Sequence, residues 1–283
     1  MTKICFLIYA PDYKDRSGGI LALHSLAENL SLLGQEVYVT SKKTRGFLDL
    51  KCVPKDKKVW DILSKDNTVL VYPEIISDNP LDGKYICRWL LNNPGEFTNF
   101  DKFVPEGKLF KFAEGFNYKN YASKIPTLRS FISKESIFKP NNKFIKREGT
   151  IYTLRKGKHK LSKFKIQPSW KELKIVDDFI TDIYLKDIFQ KAKYFISYDH
   201  ATYLTTIAAL CGCIPIVIPS DDFSKEIWRR KFPGQKFGVA YGFDDIQYAK
   251  ETMPFVRGNL RKLQIESLKS IAKFINYWNK IIC

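Results

Sequence analysis

The stretch SYDHATYLTTIAALCGCIPIVIP, residues 197–219, sets a polar cluster of Tyr198, Asp199, His200 and Thr202 directly ahead of an apolar, helix-like run. A carboxylate and an imidazole at a strand-to-helix junction can meet a ligand together with backbone amides, or Asp199 can simply cap the helix. The residues alone leave both readings open. Cys211-Gly212-Cys213 lacks CxxC spacing and has no accompanying His or Cys set, so these thiols read as buried packing. A second stretch, YTLRKGKHK (152–160), places Arg155, Lys156, Lys158 and Lys160 around one glycine. Such a loop offers a guanidinium and several ammonium groups to a diphosphate, or it is a solvated basic face.

The amino-terminal end carries a second set of candidates. Ser17-Gly18-Gly19 lies between a strand-like and a helix-like run, where glycines let backbone amides approach an anion or polar oxygen. The same doublet also suits a plain turn, and neither GxGxxG nor a Walker A sequence occurs. His24, one turn into the helix, is a candidate general base or a structural histidine. Glu74, in VYPE, stands at the carboxyl tip of a strand, as a functional carboxylate or an exposed strand end.

The elements that must position these residues follow from periodicity. KICFLIYA reads as a strand and ILALHSLAENLSLLG as an amphipathic helix stopped by Gly34. QEVYVTS is a second strand, which makes a βαβ unit and predicts a parallel sheet. NTVLVYPEI (67–75) is another strand, and KYICRWLLN (84–92) reads as helix or strand. Residues 99–147 show weak periodicity, and KPNN (139–142) suggests a linker. A second α/β pattern follows: TIYTLRKGK as strand and loop, KIVDDF (174–179) as a strand or helix start, LKDIFQKA as helix and KYFISYD as strand. ATYLTTIAALCGC then reads as helix, IPIVIPS as strand, and residues 260–282 as a long amphipathic helix. Two such halves predict an α/β protein of two Rossmann-like domains facing a cleft, with ligands beyond the strands' carboxyl ends.

Composition bounds the class. The 283 residues include 45% hydrophobic and 27% charged residues, ordinary globular values. No uncharged run is long enough to span a membrane. The first residues read as a strand rather than a signal peptide, and the six scattered cysteines suit free thiols in a reducing compartment, so a cytoplasmic location is expected. Lys plus Arg exceed Asp plus Glu by 17, which points to a polyanionic ligand or an anionic membrane face without choosing between them.

Over most of its length the chain resembles a GT-B-fold glycosyltransferase. The SGG loop, the helix ILALHSLAENLSLLGQ and the strand EVYV are similar to that family's acceptor domain, with Gly34-Gln35-Glu36-Val37 where the family reads Gly-His-Glu-Val. YPEIISDNPLDGKYICRWLLNNPG resembles a stretch found in bacterial polysaccharide-assembly members. YTLRKGKHK resembles the start of the donor domain, where a basic residue and a lysine contact the diphosphate; Arg155 and Lys158 are the positions carried over. The large retaining families place one Glu eight residues before a second that opens E-A-x-x-x-G-x-P. Aligning through Ala208, Gly212 and Pro215 puts Asp199 at the first acidic position and Ile207 at the second, so nucleotide contacts here differ.

The resemblance implies an acceptor-side domain over 1–140, a sugar-nucleotide domain over 141–260, and a final helix over 261–283 packing back on the first domain. It implies a hexosyltransferase-like enzyme that uses a nucleotide-sugar co-substrate, with no metal and no other cofactor. The acceptor would be a surface glycan or lipid-linked sugar, as in lipopolysaccharide or capsule synthesis, met at the inner face of an anionic membrane. Gly18, Gly19, Arg155, Lys158, Tyr198, Asp199, His200, Thr202 and Arg229 form the expected donor site, with His24, Glu74 and Asp199 as catalytic candidates. A basic nucleic-acid-binding protein and an inactive scaffold of the same fold are the alternatives; the scattered charge and the lack of a nucleic-acid motif speak against a specific nucleic-acid partner.

Overall fold

A computed structural model of the chain describes residues 4–14, 17–44, 50–53, 61–62, 66–95, 107–113, 125–131, 133–141, 146–173 and 181–282. The chain forms two compact units, Met1–Ile132 with Gln264–Cys283, and Ser133–Leu263. The expected element at 174–179 lies outside the described residues, as does position 142 of the expected linker. The change of unit falls ahead of KPNN because residues 133–138 are held inside the second unit. There Arg257 donates to the Glu135 and Phe138 carbonyls, both at 3.0 Å, and the Lys134 ammonium meets Asp182 at 2.9 Å.

In the first unit β1 (Cys5–Ile8), β2 (Glu36–Val39), β3 (Lys51–Cys52), β4 (Thr68–Pro73), β5 (Tyr85–Leu90) and β6 (Lys108–Lys111) form one sheet, ordered β3-β2-β1-β4-β5-β6. Every pairing is parallel. KYICRWLLN, open between helix and strand by periodicity, is therefore a strand that pairs on both sides. A buried parallel sheet needs apolar residues on both faces. β1 supplies them by alternation: Phe6 and Ile8 join one core with Leu23, Leu26 and Leu30, while Cys5 and Leu7 join the other with Leu70 and Tyr72. Helix α1 (Gly18–Leu32) begins at Ser17, whose hydroxyl accepts from Ile20 N. It ends in a Schellman turn: Gly34, at φ +79°, donates to Ser31 O, and Gln35 N donates to Leu30 O at 3.0 Å.

The second unit holds β7 (Glu148–Thr153), β8 (Lys171–Glu172), β9 (Ala192–Ser197), β10 (Ile214–Val217) and β11 (Ala240–Tyr241), again all parallel, in the order β11-β10-β9-β7-β8. Its helices are α2 (Asp182–Lys191), α3 (Leu204–Leu210), α4 (Lys225–Lys231), α5 (Ile246–Thr252) and the first part of α6 (Val256–Ile282). The rest of α6 belongs to the first unit, where Ile271, Phe274, Ile275 and Trp278 join the core around Phe6. Pro215 is tolerated inside β10 because β11 pairs only from Ile216 onward, so no ladder bond needs its missing N–H.

Arg147 ties the ends of two helices together. Its guanidinium donates to the Phe189 and Gln190 carbonyls at the end of α2 and to Cys211 O just past α3, at 2.6–3.0 Å. A cation suits two helix C-termini, where unpaired carbonyls concentrate negative charge. Gly212 follows in the left-handed region at φ +82°, and a side chain there would begin 2.8 Å from the Arg147 guanidinium. Gly212→Ala is therefore expected to lose about 2–4 kcal/mol, from the left-handed conformation and the displaced fork together. Urea unfolding checks it. Arg147→Ala should cost a similar amount, and the double variant less than the sum of the two.

Candidate functional site

The strand order of the second unit reverses between β7 and β9. In open parallel sheets ligands bind beyond the carboxyl ends at such a reversal. The two stretches singled out by their chemistry meet there. Tyr198 N, just past β9, donates to Thr153 O at the end of β7 at 3.1 Å, and Ile218 N, past β10, donates to Ser197 O at 2.8 Å. After β7 the chain enters a 3-10 helix, Arg155–Ser162, laid directly on the end of β9. A Cβ on Gly157 would stand 2.1 Å from Tyr198 O, so only glycine permits this approach.

The loop presents its cations in two ways. Arg155, Lys156 and Lys158 are exposed. Arg155 also adopts φ +41°, a left-handed conformation that glycine or asparagine would take more readily. Lys160 instead turns inward and is only 5% exposed. Its ammonium donates to Ile218 O at 2.8 Å, the one hydrogen bond it makes among the described residues, and no carboxylate there lies within ion-pair distance. Its other two donors meet no acceptor among the described residues. Burial pulls its pKa down, against the opposing pull of Asp199, Asp222 and Asp221. Position 160 shares a face with position 157 because residues three apart eclipse in a 3-10 helix. Composition reads only a basic run, so Lys160 emerges as a site residue from the helix geometry.

The polar cluster after β9 separates into structural and available groups. Tyr198 is fully buried and its hydroxyl donates to Phe164 O at 3.0 Å, so its side chain is committed to packing. Asp199 does not cap α3, which starts at Leu204 with Tyr203 at the N-cap position; its carboxylate accepts from Ala201 N at 3.0 Å. Thr202 is buried and its hydroxyl accepts from Leu204 N. His200 is half-buried, its ring edged by Phe223 and Phe232 and its carbonyl held by Trp228 Nε1 and Gln235 Nε2. Burial, and next the Lys160 charge, lower its pKa, so its imidazole is neutral at pH 7. Arg229 is engaged with Asp245 and lies 3.8 Å above the Tyr248 ring. Ile207 is 4% exposed within α3, a core position. Burial pushes the Cys211 thiol up to about 12 and raises Cys213 as well, the behaviour of packed thiols.

The first unit has its own reversal, between β1 and β4. Gly18 and Gly19 open α1 beside it. Among the described residues a Cβ at Gly18 would meet nothing within 4 Å, and one at Gly19 only the Leu91 side chain at 3.7 Å, so packing against them does not require either glycine. Glu74, just past β4, is 6% exposed and accepts from Leu91 N at 2.9 Å. The loop after it is stiff: the buried Arg88 guanidinium donates to Ile76 O and Asp78 O, while Tyr72 OH bonds Asn79 and Leu81 N. His24 is fully buried, with Nε2–H donating to Pro11 O at 3.0 Å and Nδ1 without a partner among the described residues. Its ring fixes the loop after β1, whose Asp12 carboxylate also accepts from Lys42 N at 2.6 Å.

Burial lowers the His24 pKa below its usual 6.5. The unfolded chain therefore binds this proton first as pH falls. The stability it contributes is fully present above pH 6.5 and declines below it. His24→Gln should flatten that part of the decline in urea midpoints measured from pH 7.5 to 5; an unchanged slope would contradict a buried neutral imidazole.

No protein-family model and no curated protein sequence matches the chain. Solved structures do. One is an α-glucosyltransferase in complex with UDP and a 13-mer DNA containing an HMU base, 10% identical, covering 99% of both chains at a TM-score of 0.53. Another is a DNA-modifying β-glucosyltransferase, 10% identical, covering 98% of this chain and all of the other at 0.51. The chain thus has the two-unit α/β fold of these enzymes, the GT-B fold.

Proposed function

We propose that this GT-B-fold chain is a glycosyltransferase that takes a sugar from a nucleoside-diphosphate donor, with the diphosphate held at the carboxyl ends of β7, β9 and β10. The observation that carries this reading is Lys160, a buried ammonium with two donors that meet no acceptor among the described residues, lying under a loop that exposes Arg155 and Lys158. A buried cation short of counter-charge is stabilised by an anion, and a diphosphate supplies two charges and several acceptors. The left-handed Arg155 is consistent with a position kept for its guanidinium rather than for backbone ease.

The transfer breaks the bond between the sugar C1 and the β-phosphate oxygen and forms one from C1 to an acceptor hydroxyl oxygen. The bond pair leaves on the nucleoside diphosphate, where Arg155, Lys158 and Lys160 offset the growing charge. The hydroxyl proton goes to a base. Glu74 fits that role better than His24, whose ring is sealed inside the first unit. Gly18 and Gly19, which no contact with the described residues requires to be glycine, leave room for a sugar or acceptor. Asp199 and His200 border the donor site.

The acceptor we propose is a surface glycan or lipid-linked sugar, reached at an anionic membrane face that the net charge of +17 favours. Among the described residues no helix is long and apolar enough to cross a membrane, so such contact would be peripheral. A second reading, transfer to DNA, draws on the same charge and on two glucosyltransferases that share the fold, one in complex with DNA and one DNA-modifying. Radiolabelled UDP-, GDP- and dTDP-sugars offered with lipid-linked sugar, polysaccharide and HMU-containing DNA separate these. Label in the glycan supports the first reading and label in DNA the second. Nucleotide binding with no transfer to any acceptor would leave an inactive scaffold.

A further inference from the structure

We propose that a recess at the amino ends of β5 and β6 binds an anionic sugar ring, either a hexose phosphate or a uronic acid. It lies at the opposite end of the first sheet from Glu74 and is independent of the donor site. Its volume is about 320 Å³, and Lys84, Tyr85, Gly107, Lys108, Tyr277 and Trp278 line it. That is room for one substituted sugar ring at the lower end of small-ligand pockets.

Three observations define the ligand. The first is charge. Lys108 has no ion-pair partner among the described residues, and its ammonium sits 5.4 Å from the Tyr277 ring centroid. Lys84 sits 5.3 Å from the Tyr85 centroid, and its ion pair among the described residues is with Asp66 at 3.3 Å; both of those side chains are largely exposed, so water screens the pair. The second is a closed wall: Trp278 is 3% exposed, and its indole N–H, covered by protein atoms and without an acceptor among the described residues, reads the packing of that wall rather than bonding a bound ring. The third is ring geometry. Tyr85 and Trp278 meet at 69°, and Tyr277 and Trp278 at 85°, so the walls are edge-to-face. They offer no parallel slot for a nucleobase, and the lysines already cover the tyrosine faces. An aliphatic ring carrying an anion fits where a base does not. Gly107, at φ +81° and with its would-be side chain 2.3 Å from Ile86 O, leaves the rim without a side chain.

The test follows the Trp278 indole N–H directly by ¹⁵N–¹H correlation NMR. Five indole signals are expected from the five tryptophans, and Trp278→Phe identifies one by its loss. Glucose 6-phosphate or glucuronic acid should shift that signal saturably, and unsubstituted glucose about tenfold more weakly or not at all. Lys108→Glu should weaken the sugar acid by about tenfold or more without changing the thermal midpoint. The proposal is overturned if neither sugar acid moves the signal, or if glucose or inorganic phosphate moves it equally well. It is likewise overturned if only an oligonucleotide or phosphatidylglycerol vesicles do so. UDP titration of the same sample reports on the second unit, so a failure here leaves the donor-site reading to stand or fall separately.

Discussion

Gly157→Ala should unseat the loop after β7 and abolish nucleotide binding in one step. The added methyl would lie 2.1 Å from Tyr198 O and 2.2 Å from its carbonyl carbon, both main-chain atoms at a sheet end that cannot rotate away. The 3-10 helix must lift, which withdraws Lys160 from Ile218 O and moves Arg155 and Lys158. Overpacking against a rigid backbone costs about 3 kcal/mol, equivalent to a thermal midpoint lower by roughly 11 °C for a unit of this size. Nucleoside-diphosphate affinity should fall by about 100-fold or more, since several charge-assisted contacts are lost together. Gly18→Ala is the control: nothing among the described residues lies within 4 Å of the added methyl, and alanine is the better helix former by about 0.5–1 kcal/mol. Its midpoint should hold or rise. Wild-type affinity and stability in Gly157→Ala would refute the proposed apposition of loop and strand end.

Lys160→Met should separate binding from folding. The ammonium is buried and makes one carbonyl contact, so removing it relieves a desolvated charge while leaving Ile218 O without a donor. These effects oppose each other, and stability should stay within about 1 kcal/mol of wild type. UDP or dTDP affinity should nevertheless drop by about 10–100-fold, the value of one buried charge-assisted contact. Lys158→Met removes an exposed, screened charge and should cost only about fivefold, with the loss shrinking as salt rises. Titrations of the three proteins decide the order. A larger loss at Lys158 than at Lys160 would move the anion site outward onto the loop surface.

Much of this architecture was legible in the residues because the parallel strands are buried on both faces. KICFLIYA, NTVLVYPEI and KYFISYD read as strands from apolar content alone, and Gly34 marks the end of α1 by its cap chemistry, whereas the periodicity starts that helix at Ile20 and misses the first turn from Gly18 that Ser17 caps. β3 and β8 are two residues each, and β6 is KLFK within a segment of weak periodicity; so few residues carry no period. The site was legible as two stretches but not as side-chain orientations. What commits Tyr198 to Phe164, or Arg229 to Asp245, is a partner 34 or 16 positions away that spacing does not register. Lys160 looked like its neighbours in RKGKHK until the 3-10 turn set it on the face of Gly157. His24 was legible as one turn into α1 and Glu74 as the carboxyl tip of β4, while their burial came from the surrounding elements.

The central claim is that the second unit recognises a nucleoside through its diphosphate. Calorimetric titration of the full chain with UDP, dTDP and GDP, each beside its free nucleoside, tests that most directly. One diphosphate should bind at least about 100-fold more tightly than its nucleoside, the contribution of two charge-assisted contacts. Equal affinity for nucleoside and diphosphate, or no binding by any of the three, would contradict it.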